Sequence, residues 1–229
     1  MQEPASPLDR IGAAIRGETR ETRIEGAHGP VASLVIARVL HAAERASPVV
    51  VVCTDEARAQ QLLDELDVLW RPALPPAQDP LAVHRAQLLP EVDVSPYSDL
   101  VPDRRTLMER QAMLMRLLHG MTGPAVVLSV RSLMRLAMEP AVYDGLCELV
   151  LAGEEIDREE LARTLVHAGY QRMPVVEDEG TFTVRGSVVD FFPPVYRFPV
   201  RLELDGDEIV SLRLYDPETQ RTLRTIEHV

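Results

Sequence analysis

The residues with most chemistry to offer lie between positions 26 and 33. Gly26-Ala27-His28-Gly29-Pro30 is a glycine-containing loop that leads into an apolar-periodic stretch, and Ile24-Glu25 before it reads as the end of a strand. Strand, loop and helix in that order form a phosphate-binding loop. Its glycines let backbone amides approach the phosphates, a lysine neutralises the β/γ charge, and a following hydroxyl holds the metal. Counted from Gly26, the second glycine, the lysine and the hydroxyl fall on Val31, Ala32 and Ser33. Only Ser33 is of the right type, and Pro30 removes one backbone donor. The 24 basic residues are all arginine, so no other lysine can take the role. The reading is a degenerate nucleotide loop, with no catalytic residue, no metal and no cofactor.

The remaining reactive side chains suggest no second centre. His28, His41, His84, His119, His167 and His228 are scattered, with no i, i+4 pair to hold a metal. Cys53 and Cys147 are the only cysteines, too few for a disulfide scaffold or a cysteine-based zinc site. A reducing, cytoplasmic compartment fits them. The formal net charge of −12 opposes broad attraction to nucleic acid. Tyr97 is the lone aromatic between the proline-rich segment and the helix that follows, and single-strand binders need several stacking platforms. No apolar run reaches the ~18 residues of a membrane helix.

Alternating elements must carry these residues. Val49–Cys53 is a β-branched run that reads as a strand buried on both faces, between apolar-periodic helices at Val31–Ala43 and Glu56–Trp70. Arg71–Pro90 is proline-rich and reads as a loop. A helix over Asp103–His119, a buried strand over Ala125–Val130 and a short helix over Ser132–Met138 complete an α/β domain with a parallel sheet. From Pro140 the texture changes. Leu146–Ala152 reads as a strand, and Asp157 caps a helix that ends at Gly169. Strands follow at Gln171–Val176, Thr181–Arg185 and Val188–Phe192, then a hairpin turning at Asp205-Gly206 and returning over Ile209–Tyr215. Val200, Leu202 and Leu204 share one hairpin face, so Arg201 and Glu203 point the other way.

That second half carries a resemblance. Gly169-Tyr170-Gln171-Arg172, GTFTVRGSVVDFFP at 180–193, Arg201-Leu202-Glu203, Gly206-Asp207-Glu208-Ile209, Asp216-Pro217 and Gln220-Arg221 resemble, in order and spacing, the signature shared by UvrB and the transcription-repair coupling factors. Ser95-Pro96-Tyr97, Arg104-Arg105 and Val126–Met134 extend the likeness into the first half. UvrB keeps an intact nucleotide loop and a tyrosine-rich DNA hairpin. This sequence has neither, so it resembles the N-terminal region of the coupling factors. The resemblance implies a degenerate RecA-like lobe at 1–139, a smaller α+β docking domain at 140–220 and the start of the returning first lobe at 221–229, in a piece of a longer protein.

It further implies a non-catalytic module that recruits UvrA and so links removal of stalled RNA polymerase to nucleotide excision repair. The parent would be an ATP-dependent DNA translocase driven by a separate C-terminal motor. RNA polymerase and DNA would be met through other domains, and a C-terminal domain would cover the docking surface at rest. No membrane is involved. The alternative is a UvrB-like ATP-dependent damage-recognition subunit. Arg172, Arg185, Arg201 and Glu203 match positions through which such domains contact UvrA, although relatives can place the first basic residue where this chain has Gln171. The expectation is one outward polar patch.

Overall fold

The computed structural model describes residues 10, 21–42, 48–69, 86–94, 97, 99–144 and 149–229. In chain order the elements of the first half are α1 (Pro30–Ala42), β1 (Val49–Cys53), α2 (Glu56–Leu69), β2 (Gln87–Leu89), α3 (Arg104–Leu118), β3 (Ala125–Ser129), α4 (Val130–Met134) and α5 (Pro140–Asp144). Those of the second half are α6 (Arg158–His167), β4 (Gln171–Arg172), β5 (Thr181–Arg185), β6 (Val188–Phe191), β7 (Val200–Asp205), β8 (Glu208–Tyr215) and β9 (Thr222–Ile226). They fall into two compact units, one of residues 1–93 and 119–135, the other of residues 94–118 and 136–229.

The first unit is built on a parallel three-stranded sheet of order β1-β3-β2. Ala37 and Leu40 of α1 and Ala59, Leu62 and Leu66 of α2 form its core with Cys53, Ala125 and Val127. β3 is buried throughout, as a central parallel strand should be. β1 is not buried on both faces as its sequence suggests. It lies at the sheet edge, Val49, Val51 and Cys53 turn toward the helices, and Val50 and Val52 are exposed. β2 arises inside the segment read as loop, because Leu88 and Leu89 pair beside Val127 and Leu128. Residues 71–85, the rest of that segment, lie outside the described residues. Ser129 caps α4 by accepting from the Ser132 amide, which starts that helix earlier than expected and confines it to five residues. A mixed α/β protein with a parallel sheet is what the structure shows.

The second unit contains a six-stranded sheet in sequential order from β4 to β9. β4 runs parallel to β5 and the other neighbours are antiparallel. Strand alternation sends Phe182, Val189, Phe191, Val200, Leu202, Leu212 and Leu214 into the core. Asp157 caps α6 through the Glu160 amide at 2.8 Å. The helix ends on Gly169 at φ +90°, where the Tyr170 amide reaches back to Leu165 and the Gly169 amide to Val166, a Schellman closure. The β7–β8 turn is centred on Gly206 and Asp207, one residue later than the sequence suggests, with a register shift between Glu203 and Leu204. β4 is only two residues long.

Residues 221–229, expected to start a returning first lobe, pair within the second unit in this structure. β9 pairs with β8, and residues 227–229 pair with 150–152, so the segment closes the second unit's own sheet. Residues 94–118, expected in the first domain, also group with the second unit. Arg104 Nη1 donates to the Gly180 carbonyl at 2.8 Å, and Tyr143 Oη donates to Gln111 Oε1 at 2.6 Å. Among the described residues no helix is long and apolar enough to cross a membrane.

Candidate functional site

The loop at 26–33 keeps its helix but not its strand. Residues 21–25 are exposed and, among the described residues, belong to no strand, and Gly26 and Gly29 take φ +79° and +53°. α1 starts at Pro30, which places Val31, Ala32 and Ser33 in its first turn. Ser33 is fully buried and already committed. Its hydroxyl donates to Glu65 and accepts from Arg58 Nη2 at 3.2 Å, while Arg58 also reaches Glu65 at 3.3 Å and the Gly29 carbonyl at 3.4 Å. The hydroxyl bond from Ser33, ahead of the Arg58 charge, holds the Glu65 carboxyl below its ordinary range. An arginine from α2 thus lies against this loop. Its guanidinium holds the loop carbonyl and the hydroxyl that a nucleotide site would offer to a metal. Among the described residues no group of three or more His, Cys, Asp or Glu comes together to hold a metal ion.

The polar face of the second unit's sheet is more elaborate. Its register sets Thr183 opposite Asp190, Asp190 opposite Arg201, and Arg201 opposite Arg213. Side chains paired in this way share a face, so β5, β6, β7 and β8 line up their polar residues away from the aliphatic core. Asp190 lies at the centre with no exposed surface. Arg201 Nε donates to Asp190 Oδ1 at 2.7 Å and Arg201 Nη2 to Oδ2 at 2.9 Å, a bidentate pair. Arg185 Nη2 adds a third bond to Oδ2 at 2.7 Å. Arg201 also donates to Gln220 Oε1 at 2.9 Å and lies over the Tyr215 ring, 4.4 Å from its centroid. The bonds to Asp190 raise the Arg201 pKa further. Burial, reinforced by the Asp190 charge, pushes the Tyr215 hydroxyl well above its ordinary value.

Of the four residues read as one outward patch, three share this face, with different exposure. The Arg185 side chain is 52% exposed, whereas Arg201 is 21% exposed and tied inward. Glu203 is paired with Arg213, which also donates through Nε to Ser211 Oγ at 2.7 Å. Arg172 is exposed on edge strand β4, but its register partner is the core residue Phe182. Gln171, paired with Thr181, holds the position on the Arg185 side. Asp190 and Gln220 entered the sequence reading only as parts of the resembling motifs, not as site residues. The available signal for Asp190 was a single acid within the otherwise apolar strand run Val188-Val189-Asp190-Phe191-Phe192.

Two comparisons bear on this face. Residues 150–229, which contain α6 and the whole six-stranded sheet, match the UvrB interaction domain family. Over 223 residues, 97% of this chain, the sequence is 42% identical to a transcription-repair-coupling factor of Myxococcus xanthus, of which it spans 18%. It is 29% identical over 194 residues to the corresponding factor of Escherichia coli K12, covering 83% of this chain and 16% of that protein. The factor of Mycobacterium bovis is 32% identical over 197 residues, covering 82% of this chain and 15% of that protein. The chain therefore spans less than a fifth of these relatives.

Proposed function

The chain is a relative of bacterial transcription-repair-coupling factors with a UvrB interaction domain at residues 150–229, and from this premise we propose that its second unit docks UvrA. The observation that carries the proposal is the arginine pair on the polar sheet face. Arg185 and Arg201 share one buried carboxylate, which leaves one positive charge in excess on a chain whose net charge is −12. Opposite-sign surfaces of this kind set partner choice and encounter rate. In a coupling factor such a module would pass a stalled transcription site to nucleotide excision repair.

The first unit then acts as a non-catalytic scaffold with a degenerate RecA-like heritage. The supporting observations are Ala32 at the lysine position, the coil at residues 21–25, and the Ser33 hydroxyl held between Glu65 and Arg58. Binding of the folded 229-residue chain to purified UvrA tests the docking reading. Arg185→Ala should weaken binding at least tenfold, about 1.4 kcal/mol, a floor just below the roughly 2–5 kcal/mol of a fully buried interfacial charge pair. A folded, unmutated chain that does not bind UvrA refutes it. Calorimetric titration of the same protein with Mg-ATP separates it from a UvrB-like ATPase, because micromolar binding would favour the enzyme.

A further inference from the structure

Asp190 occupies an unusual position for a residue that serves only the fold. A buried carboxylate loses its hydration, and a well-packed apolar side chain often stabilises a strand as well or better. If a carboxylate is present, one arginine suffices. Arg201 alone occupies both oxygens, Oδ1 at 2.7 Å and Oδ2 at 2.9 Å. Arg185 is therefore not needed to satisfy Asp190. The dependence runs the other way, because among the described residues the bond to Asp190 at 2.7 Å is the hydrogen bond that holds the half-exposed Arg185 side chain.

We infer that Asp190 is a positioning residue of the docking face: from inside the sheet it fixes Arg185 of β5 and Arg201 of β7 as one preset guanidinium pair, with the remaining Arg185 N–H donors turned outward for a partner carboxylate. The inference rests on the reading of this face as a protein-docking surface. The supports are layered. The loop after β8 folds on itself through Asp216 Oδ1, which accepts the Glu218 and Thr219 amides at 2.9 and 2.8 Å. Gln220 follows at φ +59° and presents Oε1 to Arg201 at 2.9 Å. The Tyr215 ring lies beneath the guanidinium. Arg158 Nη1 donates to the Gly186 carbonyl at 2.6 Å, holding the hairpin turn directly after Arg185. Arginine is long and has many rotamers, so holding it in place before contact removes an ordering cost that binding would otherwise bear.

The test uses the 229-residue chain and has two arms. Without a partner, side-chain 15Nε relaxation of Arg185 should show a well-ordered guanidinium, and Asp190→Asn should lower its order parameter clearly. Equal mobility in both proteins overturns the inference. With UvrA, Asp190→Asn should weaken binding at least tenfold in the parent but less than threefold in the Arg185→Ala background. Equal factors in the two backgrounds, at matched folded fraction, would mean that Asp190 acts on binding independently of Arg185 and would overturn the inference. If Asp190→Asn does not fold, Asp190→Glu keeps the charge, moves the carboxylate by one methylene, and is read in the same two ways. If the unmutated chain does not bind UvrA, the docking proposal fails, and the relaxation arm still decides whether Asp190 holds Arg185.

Discussion

Removing Arg201 should damage the fold far more than removing Arg185, although both bind the same carboxylate. In Arg201→Ala, Asp190 Oδ1 loses its hydrogen bond and Oδ2 keeps only Arg185. Asp190 has no exposed surface, so an under-paired charge stays inside the sheet. Breaking a buried ion pair by deleting one partner costs about 3–5 kcal/mol. Arg201 is itself 21% exposed, so water can enter the space it leaves, and the lower end, about 3 kcal/mol, is the expected value. In Arg185→Ala, Asp190 keeps its bidentate partner, and the lost contact comes from a side chain 52% exposed, worth about 0–1 kcal/mol. With two units present, a whole-chain melt need not be two-state. Native-state exchange of the buried β6 and β7 amides reports on this sheet directly. At about 1.4 kcal/mol per tenfold, Arg201→Ala should speed the slowest of these amides roughly a hundredfold, and Arg185→Ala fivefold at most. Arg201→Ala combined with Asp190→Val removes the stranded charge and should recover most of the loss. Equal effects of the two arginines, or no rescue by the double variant, would refute the reasoning.

Two further outcomes follow from the surroundings of β5. Gly180 takes φ +69°, and a Cβ there would stand 2.0 Å from Met108 Sδ and 2.4 Å from its Cε. Gly180→Ala should lower the urea midpoint, by about 1–2 kcal/mol in stability from the positive φ, and adding Met108→Ala should restore little, since the end of the Met108 side chain can swing aside while the backbone strain remains. Glu179 next to it has its carboxyl pushed above the usual range, first by burial and then by the Glu109 charge. An acid with a raised folded pKa contributes its stability in full below the unfolded value of about 4.3 and loses it as pH rises through the folded value. Glu179→Gln should thus raise the melting temperature at pH 7 and leave it unchanged near pH 4. A larger gain at pH 4 than at pH 7 would reverse the assigned sign.

Local signals gave most of the elements. The valine run of β1, the Asp157 cap, the Gly169 stop and the alternation of Val200, Leu202 and Leu204 each depend on neighbours within a few residues, and sequence displays such neighbours directly. Features that depend on long-range pairing were not legible. Three residues of a proline-rich segment become β2 only because β3 offers an edge. Ile24-Glu25 has the composition of a strand end but pairs with no strand among the described residues. Residues 222–226 become β9 because β8 leaves an open side. The Ser33, Arg58 and Glu65 cluster joins two helices, and its partners are 25 and 32 residues apart from Ser33.

The same distinction explains why four site candidates do not act alike. Alternation along β7 correctly sends Arg201 and Glu203 away from the core, but it cannot say whether a charge on that face is already spent. Asp190, eleven residues before Arg201, takes that arginine's fork, and Arg213, ten residues after Glu203, takes that carboxylate. Arg172 is exposed, yet β4 pairs it in register with Phe182, away from the others. Of the four, only Arg185 combines the shared face, a side chain more than half exposed and, among the described residues, one internal bond. Binding energy tends to concentrate in the few groups that a partner can fully desolvate and pair, while their neighbours set geometry. Under the proposed docking role the two roles would fall to different arginines: Arg185, more than half exposed, would meet the partner, and Arg201, bound bidentately to Asp190, would hold the face in shape.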